Sequence, residues 1–189
     1  MKTLLQENLL QKFPQLFPTD RKIYTGPDTM NDIQELLNQK EMVIPIQFGF
    51  ECEDGWYMLL DELMSEIQSH IENENRTIRF NELKYKWMWK LQNWIRLKRK
   101  FKIADWIYNL APKVKQPPIN VKIHQIKEKF GGLRFYYSGG DERIHGMVGF
   151  AETLSYKICE HCGSTKNVSQ TKKGWITTLC EDCMKPQEK

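Results

Sequence analysis

The chain has 189 residues, 40% of them apolar and 28% charged, with a formal net charge of +4. That is the composition of an ordinary globular chain with room for one sizeable domain, or one domain and a small appendage. It contains no internal repeat, no low-complexity tract, and nothing close to the roughly 18 apolar residues of a membrane span. The excess of four positive charges predicts a mild attraction to anions and does not by itself identify a nucleic-acid binder.

The opening segment, MKTLLQENLLQKFPQLF, is interrupted by Gln, Glu, Asn and Lys and so lacks a signal-peptide core. The expected location is therefore a reducing cytoplasm, where clustered cysteines favour metal binding over disulfides. Residues 1–20 read as a short amphipathic helix carrying Leu4, Leu5, Leu9 and Leu10, broken by Pro14 and Pro18. Gly26-Pro27 marks a turn, and a helix over about 29–40 follows, with Ile33, Leu36 and Leu37 inward. The apolar run 42–50 is extended, and Pro45 places it at a sheet edge or outside a sheet. Cys52 reads as a small buried hydrophobe. Over 55–73, Trp56, Leu59, Leu60, Leu63, Ile67 and Ile71 fall on one helical stripe, with Asp54 as a candidate cap.

Residues 83–104 hold Lys84, Lys86, Lys90, Arg96, Lys98, Arg99, Lys100 and Lys102 and no acidic residue. Trp87, Met88, Leu91, Trp94 and Ile95 form an apolar helical stripe, with Tyr85 and Trp89 on the other side. Two readings are open. Phosphates can meet Lys90, Arg96, Lys98, Arg99 and Lys100 while bases stack on Trp or Tyr. Alternatively the tryptophan stripe faces a core and the basic back is solvated. A basic amphipathic helix also suits a membrane surface or an acidic partner. Pro112, Pro117 and Pro118 then punctuate a linker.

Residues 119–137 predict two strands joined at Gly131-Gly132. That turn pairs Phe130 with Leu133, Lys129 with Arg134, Glu128 with Phe135 and Lys127 with Tyr136. It places Phe130, Leu133, Phe135 and Tyr137 on one face and Lys127, Lys129, Arg134 and Tyr136 on the other. Like charges across a strand pair are unfavourable, so the second face is a candidate site for an anion, against the alternative of a solvated edge. The apolar phase changes between Ile119, Val121, Ile123 and Ile126, Phe130, which predicts a bulge or twist. The loop Ser138-Gly139-Gly140-Asp141-Glu142 lacks the Lys-Ser/Thr of a P-loop. Asp141 and Glu142 suit the cap of a helix over 143–158 better than acid–base work with His145. No nucleophile, base and orienter come together in the pattern, and no carboxylate pair suggests a catalytic metal, so no catalytic residue is assigned.

That helix leads into Cys159. The spacing Cys159-x2-Cys162, seventeen residues, Cys180-x2-Cys183 is a strong metal signature. Two thiolates two residues apart can share a tight turn and reach one tetrahedral ion at about 2.3 Å. The intervening segment is long enough for a returning hairpin, with Gly163 and Gly174 where flexible backbone is needed. Four thiolates leave no open position for water, so the expected cofactor is one structural zinc ion, with His161 a neighbour and not a ligand. The ribbon carries Lys157, Lys166, Lys172, Lys173 and Trp175, so it can be a staple for a segment without a core or a binding surface.

Four segments, FGFECEDGWYMLLDEL, QIKEKFGGLRFYYSGGDE, GMVGFAETLSYKICEHCG and GWITTLCEDC, together resemble a family of small phage and prophage proteins with a C-terminal four-cysteine zinc ribbon. The resemblance covers roughly 44–75 and 119–183, and the stretch 76–112 is a longer insertion than the family's pattern. It implies a phage-encoded protein in the bacterial host cytoplasm, and accessory phage proteins of this size act by binding host factors or small defence-signal nucleotides. The combined expectation is an α+β fold: helices around a small antiparallel sheet over 1–156, with a basic aromatic helical insertion at about 76–112, and a zinc ribbon over 157–189. The expected activity is binding of an anionic partner, nucleic acid first. A phosphorylated small molecule held by Lys127, Lys129, Arg134 and Tyr136, and a host protein, are the alternatives.

Overall fold

The computed structural model describes residues 1–17, 50–98, 101–110, 117–172 and 174–185. The expected Gly26-Pro27 turn, the helix over 29–40, the extended segment before Phe50, and Arg99, Lys100 and Pro112 lie outside these residues. In chain order the elements are α1 (Thr3–Lys12), β1 (Phe50–Glu51), α2 (Tyr57–Leu97), α3 (Phe101–Leu110), β2 (Val121–Lys129), β3 (Gly132–Gly139), α4 (Glu142–Ser155), β4 (Val168–Gln170), β5 (Thr178–Cys180) and α5 (Glu181–Met184). The fold is α+β. The chain divides into two units, Met1–Gln68 with Val121–Lys189, and Ser69–Asn120.

In the first unit, β1 lies parallel to β2 and β2 antiparallel to β3, in the order β1-β2-β3. Val121, Ile123, Ile126, Leu133 and Phe135 of the sheet are buried, as are Ile144, Val148 and Ala151 of α4. So are Trp56, Leu60, Leu63, Met64 and Ile67, most of the stripe expected from 3.6-residue spacing. Leu9, Phe13, Leu16 and Phe17 add a further apolar group, with the Phe17 and Phe50 rings stacked at 6.1 Å. Pro14, which has no N–H, starts a 3-10 turn that ends the α1 segment. Asp54 does not cap α2: its carboxylate accepts the backbone N–H of Lys2 at 2.6 Å. Nor does α2 stop near residue 73. No Gly or Pro occurs between Tyr57 and Leu97, so nothing interrupts its hydrogen-bond ladder across the polar stretch.

The hairpin turn is Phe130-Gly131 instead of Gly131-Gly132. Lys129 pairs with Gly132, Lys127 with Arg134 and Ile126 with Phe135. Both turn residues have positive φ, 54° at Phe130 and 74° at Gly131, the backbone of a tight turn whose hand matches the strand twist. Gly132 is needed elsewhere: a Cβ there would meet the Tyr156 ring at 2.3 Å. Moving the turn by one residue shifts the register by two, so the paired strand side chains keep their faces, whereas Phe130, expected on the apolar face, becomes a turn residue with an exposed ring. The phase change is a bulge at His124, between Ile123 and Gln125. The outer edge of β3 is covered by α4. Ser155 Oγ accepts the Leu133 N–H and Glu152 Oε1 accepts the Phe135 N–H, both at 2.9 Å. Asp141 caps α4 as expected, accepting the Ile144 N–H at 3.0 Å.

In the second unit, Met88 of α2 and Ile107 of α3 are buried together, with Leu91 and Ile95 packed against them. Asn75 bonds both the N–H and the C=O of Ile119, at 2.8 and 2.9 Å. Trp87 and Trp94 do not share this core: they are 65% and 54% exposed. The inward stripe is therefore narrower than the sequence pattern suggests. A helix packed against a ten-residue partner has only one narrow side to bury.

Candidate functional site

Cys159, Cys162, Cys180 and Cys183 converge, with all four sulfurs within 4.8 Å of one another. Sulfurs about 2.3 Å from a tetrahedral ion stand about 3.8 Å apart, so this donor set can hold a metal ion with little rearrangement. The first pair sits on a tight turn. Cys159 N–H donates to Ser164 O and Gly163 N–H returns to Cys159 O, both at 2.8 Å, with Gly163 at φ 76°. The second pair arrives on the β4–β5 hairpin, where Val168 pairs with Cys180, and Cys183 lies in α5. Burial pushes the Cys159 thiol up, but N–H donation to its sulfur from Cys180, Cys162 and His161 more than reverses this and lowers it to about 7. Cys183 is raised by burial and by the three neighbouring thiols. Such a group gives up its protons together when a cation enters. His161 Nδ1 lies 3.6 Å from Cys183 Sγ, beside the cluster.

The cysteine segment is bound into the first unit at two places. At the first turn, Gly55 N–H donates to Glu160 O at 2.7 Å, Trp56 Nε1 donates to Ile158 O at 3.1 Å, and Glu53 N–H donates to Glu160 Oε1 at 3.2 Å. A Cβ on Gly55 would lie 2.2 Å from Cys159 O, so only glycine permits this approach. Glu160 is buried, and desolvation raises its carboxyl to about 7. At the second place the ribbon hairpin meets the β2–β3 turn. Gln170 Nε2 donates to Phe130 O at 3.0 Å, Thr178 Oγ1 donates to Gly131 O, and Trp175 Nε1 donates to Glu128 Oε2 at 2.7 Å. Gly55, Glu160 and Glu128 carry no sequence signal of these roles, because each depends on a segment distant in the chain.

Lys127, Lys129, Arg134 and Tyr136 share one face of the hairpin, as the alternation requires. All four are already engaged with one another or with neighbours. Arg134 Nη2 donates to Tyr156 Oη at 3.1 Å, Nη1 donates to its neighbour's carbonyl at 2.7 Å, and Glu152 lies 4.0 Å away. Lys127 Nζ sits 5.1 Å over the Tyr136 ring and Lys129 Nζ 5.5 Å over Phe130. On the helices, Arg96 pairs with exposed Asp105 at 3.1 Å, Lys98 lies 4.1 Å over the Trp94 ring, and Lys90 is exposed. Cys52 is buried, and desolvation raises its thiol to about 12, so it is an inert packing group as expected. Among the described residues no helix is long and apolar enough to cross a membrane.

Comparison with protein-family models, with curated proteins and with solved structures finds no match.

Proposed function

We propose that the chain is a zinc-stapled binding protein whose basic helical unit holds nucleic acid. The carrying observation is how charge divides between the two units. Ser69–Asn120 contains twelve Lys or Arg against four Asp or Glu, so it carries +8, and the remainder of a +4 chain carries −4. On that basic unit Trp87, Trp89, Trp94 and Trp106 are exposed, which supplies stacking surfaces among the cations. Zinc is the ion that four thiolates in a closed tetrahedral shell suit best, and its role is structural. The quoted sequence segments support a phage-encoded protein acting in a host cytoplasm. A phosphate pocket on the hairpin face is the weaker reading, because Arg134 is already taken up by Tyr156 and Glu152.

A second reading has its own support. Phe80, Leu83, Trp87, Trp94 and Leu97 are all exposed and recur at steps of three, four, seven and three residues, a seam that a helix of a host protein would cover. Fluorescence anisotropy with labelled single- and double-stranded oligonucleotides at several salt concentrations separates the two. Nucleic-acid binding requires affinity that falls with salt, and a Lys90→Gln, Lys98→Gln variant whose salt slope is shallower by roughly one unit per lost phosphate contact. Absence of oligonucleotide binding at low salt would sink that reading and leave the host-protein seam. For the metal, elemental analysis of the loaded protein should give one zinc per chain, and Cys180→Ser should lose it.

A further inference from the structure

The two hairpins of the first unit end side by side, and their tips carry exposed rings. Phe130 is 63% exposed and Trp175 76% exposed, with Ile176 beside them. A single carboxylate organises both tips: Glu128 Oε1 accepts the Gly131 N–H at 2.5 Å and Oε2 accepts the Trp175 indole N–H at 2.7 Å. Gln170 and Thr178 of the ribbon hairpin add bonds to the carbonyls of Phe130 and Gly131. A Cβ at Gly131 would lie 3.2 Å from Ile176 Cγ2. The tips are therefore held together by backbone and side-chain bonds, while their rings face outward.

Phe130 adds an independent observation. At φ 54° it occupies the left-handed region, disfavoured for any residue with a Cβ and an outlier for a bulky one. Turn positions of this kind favour Asn, Asp or Gly. Its ring is exposed, so burial of the side chain does not offset the strain. Strain that stability does not explain points to function.

We propose that Phe130 and Trp175 form a stacking platform for unpaired bases, so that the anionic partner includes single-stranded nucleic acid. The inference rests on the nucleic-acid reading above and extends it to a second surface. With its indole N–H held by Glu128, Trp175 offers a partner only its ring, which suits stacking and not hydrogen-bonded readout. Lys129 lies over the Phe130 ring and exposed Lys172 belongs to the same ribbon tip, which matches a phosphate backbone passing the rings. A lipid surface fits less well, because three apolar side chains make a small anchor.

The test is anisotropy of fluorescein-labelled 12-mers of oligo(dT) and oligo(U), with a matched duplex, against the full zinc-loaded chain. Phe130→Gly keeps the turn, since glycine accepts the positive φ, and should melt no lower than wild type. Phe130→Gly and Trp175→Ala should each weaken single-strand binding about five- to hundredfold, as loss of one stacked base does, with duplex binding nearly unchanged. Trp175→Phe should recover part of the loss. If both variants bind single strands within about twofold of wild type while Lys90→Gln, Lys98→Gln weakens them, the platform is refuted and the nucleic-acid reading stands. If wild type binds neither 12-mer nor duplex at low salt, both fall. Loss of phosphatidylserine-vesicle binding in the two tip variants, with oligonucleotide binding intact, would overturn the platform in favour of a lipid contact.

Discussion

Replacing Gly55 with alanine tests how tightly the cysteine turn is joined to the start of α2. The new Cβ would stand 2.2 Å from Cys159 O, 2.5 Å from Glu160 O and 2.5 Å from Gly163 N, where ordinary contact begins at 3.4 Å. All three neighbours are backbone, so no side chain can swing away, and the segments must part by about 1 Å. Overpacking of this kind costs about 1–3 kcal/mol, and loss of the Gly55 N–H bond to Glu160 O adds about 1 kcal/mol. The sum, roughly 2–4 kcal/mol, corresponds to a fall in Tm of roughly 5–15 °C for a chain of this size. The moved atoms belong to the turn that aims Cys159 and Cys162, so the metal-loaded variant should also yield its ion to a chelator sooner. Circular dichroism melts and dye-monitored chelation measure the two effects. Gly149→Ala is the control: it lies inside α4 with nothing within 4 Å of its Cβ position, and should raise stability by about 0.5–1 kcal/mol. A Gly55→Ala protein that melts within about two degrees of wild type and keeps its metal equally well would refute the reasoning.

Leu63→Asp places a charge at a buried position of α2 and should cost about 3–5 kcal/mol, read as a shift in the urea midpoint. A wild-type midpoint would mean that the stripe is not core. Arg134→Ala loses the bond to Tyr156 and a partly exposed interaction with Glu152, so a loss of about 1 kcal/mol is expected. An unchanged midpoint would show that the guanidinium contributes nothing to the fold and is free for another role. Asp54 is held below the usual carboxylate range, chiefly by the backbone N–H of Lys2. A lowered carboxyl stabilises the fold above its unfolded value near 3.8 and loses that contribution as pH falls. The Tm gap between wild type and Asp54→Asn should therefore narrow from pH 6 toward pH 3.5; a gap that widens would contradict the assignment.

Much of this protein is legible in local sequence. Paired Cys-x2-Cys spacing picks out the four cysteines that converge into a group able to hold a metal, because two thiolates on one tight turn need only the residues between them. The stripe through Trp56, Leu60, Leu63 and Ile67 declares a buried helical face, because 3.6-residue periodicity is a property of one segment. The shared hairpin face of Lys127, Lys129, Arg134 and Tyr136 survived a misplaced turn, because a two-residue register shift preserves sidedness. What local pattern could not decide is which apolar surface finds a partner. Trp87 and Trp94 have the spacing of core residues, yet α3 is too short to cover them and they remain exposed. The Gly-Gly pair misleads as a turn signal because Gly132 serves another need: it lies against the Tyr156 ring, where no side chain could stand, and that contact is tertiary. The basic run at 83–104 is plain in the sequence, but its membership of a separate unit of +8, in a chain of only +4, follows from the tertiary division. Gly55, Glu128 and Glu160 owe their roles to segments roughly fifty to a hundred residues away. Sequence spacing encodes neighbours along one element; contacts between distant segments arise only when the tertiary fold closes.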